Sequence, residues 1–253
     1  MSVSGQPLVP FDLPLCRGRL IRRYKRFLAD VEFEDGRIAT VHTPNTGSMK
    51  TCSDPGSEVI VSDSGNPKRK LPLTLELVRV APGEHGWAGV NTSLPNRLVA
   101  AAIEAGMVSE LTGYARLRRE VNVEQGSRLD LMLTDGPGGG RCLVEVKNVT
   151  MVSGRAAVFP DAVTERGRRH LQVLARAVER GERAVIFFLV QRPDCEVFST
   201  ADSIDPAYGE TLREVTSRGV ELLAYRSVLG LDGARIESGP MTYVPAPELG
   251  GEK

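Results

Sequence analysis

The sequence predicts an α+β chain of two domains, a small β-barrel followed by an α/β layer domain. Three observations predict it. Across residues 17–80, short runs of alternating apolar and polar side chains are separated by turn formers, with no helical period. After Ala81-Pro82-Gly83 and Gly86, helical stripes begin to alternate with strands. Residues 184–190 are continuously apolar over a strand's length, as a parallel strand buried on both faces requires.

Residues 1–15, with Pro7, Pro10 and Pro14, read as an extended lead-in. In the barrel, Phe27, Ala29, Val31 and Phe33 alternate with Leu28, Asp30, Glu32 and Glu34, and Asp35-Gly36 marks a hairpin turn before residues 38–41. Residues 59–61 and 73–80 are further strands, and the loops at 43–48, 53–57 and 63–67 are rich in turn formers. About five short strands in this length fit an OB-type barrel. In the second domain Thr92 or Ser93 caps a helix with Pro95 in its first turn, Leu98, Ala102 and Ile103 on its apolar stripe, and Gly106 at its end. Strands follow at 114–121, 128–133 and 142–149, and Pro137-Gly138-Gly139-Gly140 makes the last two a hairpin. A helix over 164–180 carries Leu171, Leu174 and Val178 on one face and ends at Gly181. The apolar strand, a helix over 206–218 and a strand over 220–225 complete the layer. The expected units are residues 1–82, the barrel; 83–230, the α/β domain; and 231–253, a C-terminal hairpin or tail.

Hydrophobic residues make up 41% and charged residues 25%, the balance of a globular chain with a real core. The 32 basic and 32 acidic residues cancel, so a nucleic acid or an anionic surface can be met only through a local patch. Cys16, Cys52, Cys142 and Cys195 are far apart and form no C-x-x-C pair, which argues against a zinc site or a disulfide framework and suits a reducing cytoplasm. No segment approaches the ~20 apolar residues of a membrane span. Nor does a basic segment followed by an apolar run open the chain, so no signal peptide is expected.

The chemistry-bearing feature is a set of two carboxylates and a lysine. Glu145 and Lys147 are two apart on a strand and face the same way, while Val144 and Val146 face the other. Asp130 reaches the same face if its strand pairs with theirs. Asp130 and Glu145 then offer oxygen ligands to Mg²⁺ or Mn²⁺, and Lys147 can hold a water or a phosphate oxygen. This is the arrangement of the PD-(D/E)xK nuclease superfamily. The competing reading is a solvated strand face with a salt bridge.

Longer motifs carry a resemblance. They are Val41-His42-Thr43-Pro44-Asn45-Thr46-Gly47-Ser48-Met49, Asn66-Pro67-Lys68-Arg69-Lys70-Leu71, Gly89-Val90-Asn91-Thr92 and Leu94-Pro95-Asn96. They continue with Ser127-Arg128-Leu129-Asp130, Val144-Glu145-Val146-Lys147-Asn148-Val149-Thr150 and Phe159-Pro160-Asp161-Ala162-Val163-Thr164-Glu165-Arg166-Gly167. Over about residues 13–225 the chain resembles the sugar fermentation stimulation protein family (SfsA). The resemblance implies an OB-like barrel joined to a PD-(D/E)xK nuclease-like α/β domain. It also implies DNA binding with little sequence preference and a regulatory role in sugar (maltose) metabolism. An active metal-dependent nuclease or phosphodiesterase on DNA or RNA is the alternative. Where the resemblance places a further acidic residue on the helix before the hairpin, this chain has Ala101; Glu104, one turn on, is the substitute ligand.

Arg17, Arg19, Arg22, Arg23, Lys25 and Arg26 form the densest basic run, interleaved with Tyr24 and Phe27, and Lys68-Arg69-Lys70 is the second. OB barrels grip single-stranded DNA or RNA with such grooves and with stacked aromatics; the bland reading is solvated charge over core aromatics. Such contacts would be phosphate contacts, salt-dependent and sequence-tolerant. His42, Asn45 and Ser48 could line a phosphate or base site or simply shape a loop. Arg128, Arg166 and His170 are auxiliary candidates near the carboxylates, and Asp161 reads as a helix cap.

Overall fold

The computed structural model describes residues 8–124 and 127–246. Residues 1–7 of the lead-in, with Pro7, and residues 247–253 of the expected tail lie outside them. The lead-in opens with β1 (Val9–Pro10), and the barrel follows: β2 (Leu15–Tyr24), β3 (Leu28–Phe33), β4 (Ile38–His42), β5 (Glu58–Asp63) and β6 (Leu73–Arg79). β2 pairs with β3 and β5, β3 with β4, and β5 with β6, all antiparallel; a parallel bridge, His42 to Thr74, joins β4 to β6 and closes the barrel. The closed order β2-β3-β4-β6-β5 is that of an OB barrel. The period-2 pattern shows why these residues form it: Leu20, Ala29, Val31, Phe33, Val41, Val59 and Val61 point inward and are buried. Gly36 takes the positive φ the β3–β4 turn needs. Phe27 departs from the expected stripe. It sits in the β2–β3 turn, 49% exposed. β7 (Trp87–Gly89), beyond the Ala81–Gly86 turn, still pairs with β6.

The second domain comprises α1 (Leu94–Glu104), β8 (Arg116–Glu124), β9 (Ser127–Thr134), β10 (Cys142–Val149), β11 (Met151–Ser153), β12 (Ala156–Phe159), α2 (Glu165–Glu179), β13 (Arg183–Val190), β14 (Val197–Thr200), α3 (Pro206–Ser217), β15 (Glu221–Leu229) and β16 (Gly233–Ile236). Its main sheet has the order β1-β16-β15-β13-β10-β9-β8, with β10, β13 and β15 parallel. α1 covers one face and α2 with α3 the other. β13 explains its own sequence: Val185, Phe187 and Leu189 enter the α1-side core, and Ala184, Ile186, Phe188 and Val190 the α2-side core. The β9–β10 hairpin is as expected.

Three features depart from the sequence reading. The lead-in crosses to the far domain, where Val9 and Pro10 pair with Ala234 and Gly233. A separate sheet of β11, β12 and β14 was not foreseen. Neither Thr92 nor Ser93 caps α1 with its side chain, because the Ser93 amide and hydroxyl both donate to Asn91 Oδ1 instead. Among the described residues, no helix is long and apolar enough to cross a membrane.

Candidate active site

The β9–β10 ladder stops at the pair Leu131–Val144. One residue further along, the strands no longer share backbone bonds, and a side chain takes over: Asp130 Oδ2 accepts from the Val146 amide at 2.8 Å. Its other oxygen accepts from Asn96 Nδ2, in the first turn of α1, at 2.7 Å. Glu145 points to the α2 face. Lys147 Nζ donates to Glu145 Oε1 at 2.6 Å, and His170 Nδ1 donates to the same oxygen. Arg166 Nε donates to His170 Nε2 at 3.4 Å, which leaves the His170 proton on Nδ1. Glu145 Oε2 is buried and has no partner.

The electrostatics follow from this packing. Burial, reinforced by the nearby Glu145 charge, pushes Asp130 up to about 6 against the pull of the Val146 amide, Lys147 and Asn96. Burial also pushes Glu145 upward, but the hydrogen bond from His170 and the charge of Lys147 pull harder, and its pKa ends lowered. Two carboxylates thus crowd one place, one of them with a bare buried oxygen.

The pair opens into a cleft of about 760 Å³ between barrel and α/β domain. Its barrel wall is the 45–48 loop, clamped from both sides. Arg23 donates to the carbonyls of Asn45, Gly47 and Ser48 at 2.7, 2.8 and 3.1 Å. Asp161, from the opposite domain, accepts from the Ser48 amide at 2.7 Å and its hydroxyl at 3.3 Å, and from the Met49 amide at 3.4 Å. Gly47 is required there, since a Cβ would lie 2.3 Å from the Asp161 carboxylate. Arg192, buried, ties the same loop down through the Thr51 hydroxyl and the Thr150 carbonyl, at 2.8 and 2.6 Å.

The cleft therefore gathers Asp130, Glu145, Lys147, Asn45, Ser48, Arg166, His170, Arg23 and Arg26. It does not gather Glu104, which is exposed at the end of α1, eight residues and thus ~12 Å along the axis from Asn96. Ala101 packs against the core, so the helix presents Asn96 to the site and leaves no vacancy at Ala101. His42 lines a different cavity with Arg69. Arg128 pairs with Glu120 on the surface. Arg17 is paired with Glu58, Arg22 with Asp30, and Arg19 with the Gly56 carbonyl. Lys25, Lys68, Arg69 and Lys70 are exposed outside the cleft. The helix cap is Thr164, whose hydroxyl accepts from the Gly167 amide; Asp161 serves the barrel loop instead. Sequence reasoning missed Asn96 and the clamp by Asp161. Asn96 could have been noticed as a polar residue directly after Pro95 in the first turn of the helix.

Residues 21–90 match the SfsA N-terminal OB domain, and residues 93–233 match the sugar fermentation stimulation protein RE domain. The chain belongs to the sugar fermentation stimulation protein family. A homolog of that name from Pelobacter propionicus is 58% identical over 88% of this chain and 95% of its own length. One from Geobacter sulfurreducens is 56% identical over 88% and 94%. The solved structure of Pyrococcus furiosus SfsA in complex with Ca²⁺ superposes with a TM-score of 0.83 at 26% identity, covering 95% of this chain and all of that one. In this SfsA-family chain the barrel is thus the OB domain, and the carboxylates belong to the second domain.

Proposed function

We propose that the chain binds nucleic acid in the cleft between its domains, with little sequence preference, and engages one phosphodiester at Asp130 and Glu145 through Mg²⁺ or Mn²⁺. The observation that carries this is the crowded carboxylate pair with its bare Glu145 Oε2 in a basic-walled cleft. Such a pair fits a hard cation: it supplies two oxygen ligands and leaves other positions to water and phosphate, as Mg²⁺ prefers. Among the described residues no group of three or more His, Cys, Asp or Glu is arranged to hold a metal, so the proposed cation would have only these two carboxylates as protein ligands. The Pyrococcus furiosus SfsA structure is a complex with Ca²⁺, which supports a divalent cation. When bound, the cation would neutralise phosphate charge and acidify a coordinated water.

The chain's own groups do the rest. Arg23, Arg26 and Arg166 draw the backbone in by charge, which carries no sequence information. Asn96 and the Val146 amide hold Asp130 in one orientation. His170 and Lys147 hold Glu145 Oε1, which leaves the buried Oε2 without a partner in the protein. A regulatory role in sugar metabolism, which the family name suggests, would act through this same binding.

Phosphodiester hydrolysis is the second reading, and the position of Lys147 favours it. Its ammonium, 2.6 Å from Glu145, can swing to an attacking water or to the charge developing on phosphorus. The test is cleavage of labelled single- and double-stranded DNA and RNA with and without Mn²⁺, beside Lys147→Ala. The hydrolytic reading expects Mn²⁺-dependent cutting that Lys147→Ala abolishes. Salt-sensitive binding with no cutting in any lane would leave a binding protein. Absence of both would refute the proposal.

A further inference from the structure

We infer that a second cavity, across a thin ridge from the carboxylates, receives an unstacked nucleobase, so that the preferred substrate is single-stranded or locally unpaired nucleic acid; this rests on the cleft being the nucleic-acid site. The cavity measures about 380 Å³ and lies where the lead-in, the barrel and the start of α1 meet. The ridge is built from residues that divide between the two cavities. Pro44 lines the second cavity and Asn45 the cleft; Ser93 and Leu94 line the second, and Pro95 and Asn96 the cleft. Thr92 Oγ1 holds the ridge together by donating to the Pro44 carbonyl at 3.2 Å. A strand whose phosphate sits at Asp130 therefore has a neighbouring nucleotide at the second opening.

The lining suits a base better than a phosphate. Its cations, Arg69 and Arg97, are offset by Asp12, which lies 3.7 Å from Arg97, and by buried Glu76. A near-neutral pocket favours a neutral guest, while the phosphates stay with Arg23, Arg26 and Arg166. Its walls include Phe11, Pro44 and Leu94, and its floor is a fixed polar network: Ser62 Oγ donates to Glu76 Oε1 at 2.7 Å, and Asn91 Nδ2 to Glu76 Oε2 at 2.8 Å. Carboxylate lone pairs left over on Glu76 can accept from an exocyclic amine. Arg69, tethered to Thr74 Oγ1 at 3.3 Å, brings a planar guanidinium, and Phe11 a planar ring. Flat faces over a hydrogen-bonding floor are what a base taken out of its stack requires.

The test measures binding of a single-stranded oligonucleotide with one 2-aminopurine, and of a duplex, to the full chain and to Ser93→Trp and Arg69→Ala. Ser93 is exposed on the cavity rim and its hydroxyl caps nothing in the helix, so tryptophan there fills the opening; an unchanged circular dichroism melt verifies folding. The expected result is 2-aminopurine emission that changes on binding to wild type, with Ser93→Trp weakening single-strand binding about tenfold and duplex binding less than twofold. Arg69→Ala should weaken it severalfold in the same direction. Wild type that binds both strands while Ser93→Trp and Arg69→Ala bind the single strand equally well overturns the inference and leaves the cleft reading intact. Wild type that binds neither overturns both.

Discussion

Strands β2 and β10 carry charge in opposite ways. β2 and its turn hold the densest basic run in the chain, yet most of those side chains stand in solvent, and Arg17 and Arg22 are neutralised by Glu58 and Asp30. β10 holds only Glu145 and Lys147 in its middle, but Glu145 is 3% exposed and is gripped by side chains from β10 and α2. Charge density marks where a strand meets water; constrained, desolvated charge marks where chemistry can be done, because burial makes each electrostatic contact count for more.

The comparison breaks most sharply on activity. If the cleft hydrolyses phosphodiesters, Lys147→Ala should lower Mn²⁺-dependent turnover of labelled DNA by about 10²–10³-fold. Arg17→Ala, on β2, should change it less than about twofold. Equal losses would erase the distinction between the two strands.

Stability gives the next contrast. Asp161→Ala removes a carboxylate that satisfies two amides and a hydroxyl across the domain boundary. It should destabilise the fold by about 3 kcal/mol in urea denaturation, since charge-assisted bonds are worth ~1.5–3 kcal/mol each and are not additive. Within β2 itself, Arg23→Ala should cost about 2 kcal/mol because it strands three loop carbonyls, whereas Arg17→Ala should cost less than about 0.5 kcal/mol as an exposed pair. A cost at Arg17 equal to that at Arg23 would show that exposure was misjudged.

The smallest effect concerns pH. The hydrogen bond from Arg22 holds Asp30 below the usual carboxylate range, aided by Thr40 and Tyr24 against a burial penalty. A lowered folded-state pKa means stability present above the unfolded value and lost as pH falls through the folded one. Asp30→Asn should therefore flatten the acid limb of the stability profile below about pH 4. An unchanged limb would mean the Asp30 cluster adds nothing.

Much of this was legible in sequence because it is local. The alternation of Ala29, Val31 and Phe33, the unbroken apolar run of β13 and the glycine-rich β9–β10 turn each follow from a period or a turn residue. Glu145 and Lys147 could be read as a pair because side chains two apart on a strand share a face. What escaped depends on distant partners or on very short elements. β1 has two residues and no period, so its pairing with β16 leaves no pattern. Asp161 and Ser48 meet across 113 positions. Spacing in the basic run does not reveal that Glu58 and Asp30 lie opposite Arg17 and Arg22. Glu104 follows from the resemblance, which implies an acid near Ala101, and from its place one turn on, whereas the helix turns Asn96 to the site.

Isothermal titration of Mn²⁺ into the metal-free protein and into Asp130→Asn tests the central claim most directly. The account predicts saturable binding of one cation to the wild type, weakened at least tenfold by Asp130→Asn without loss of folding. Identical titrations for the two proteins, or no binding to either, would contradict it.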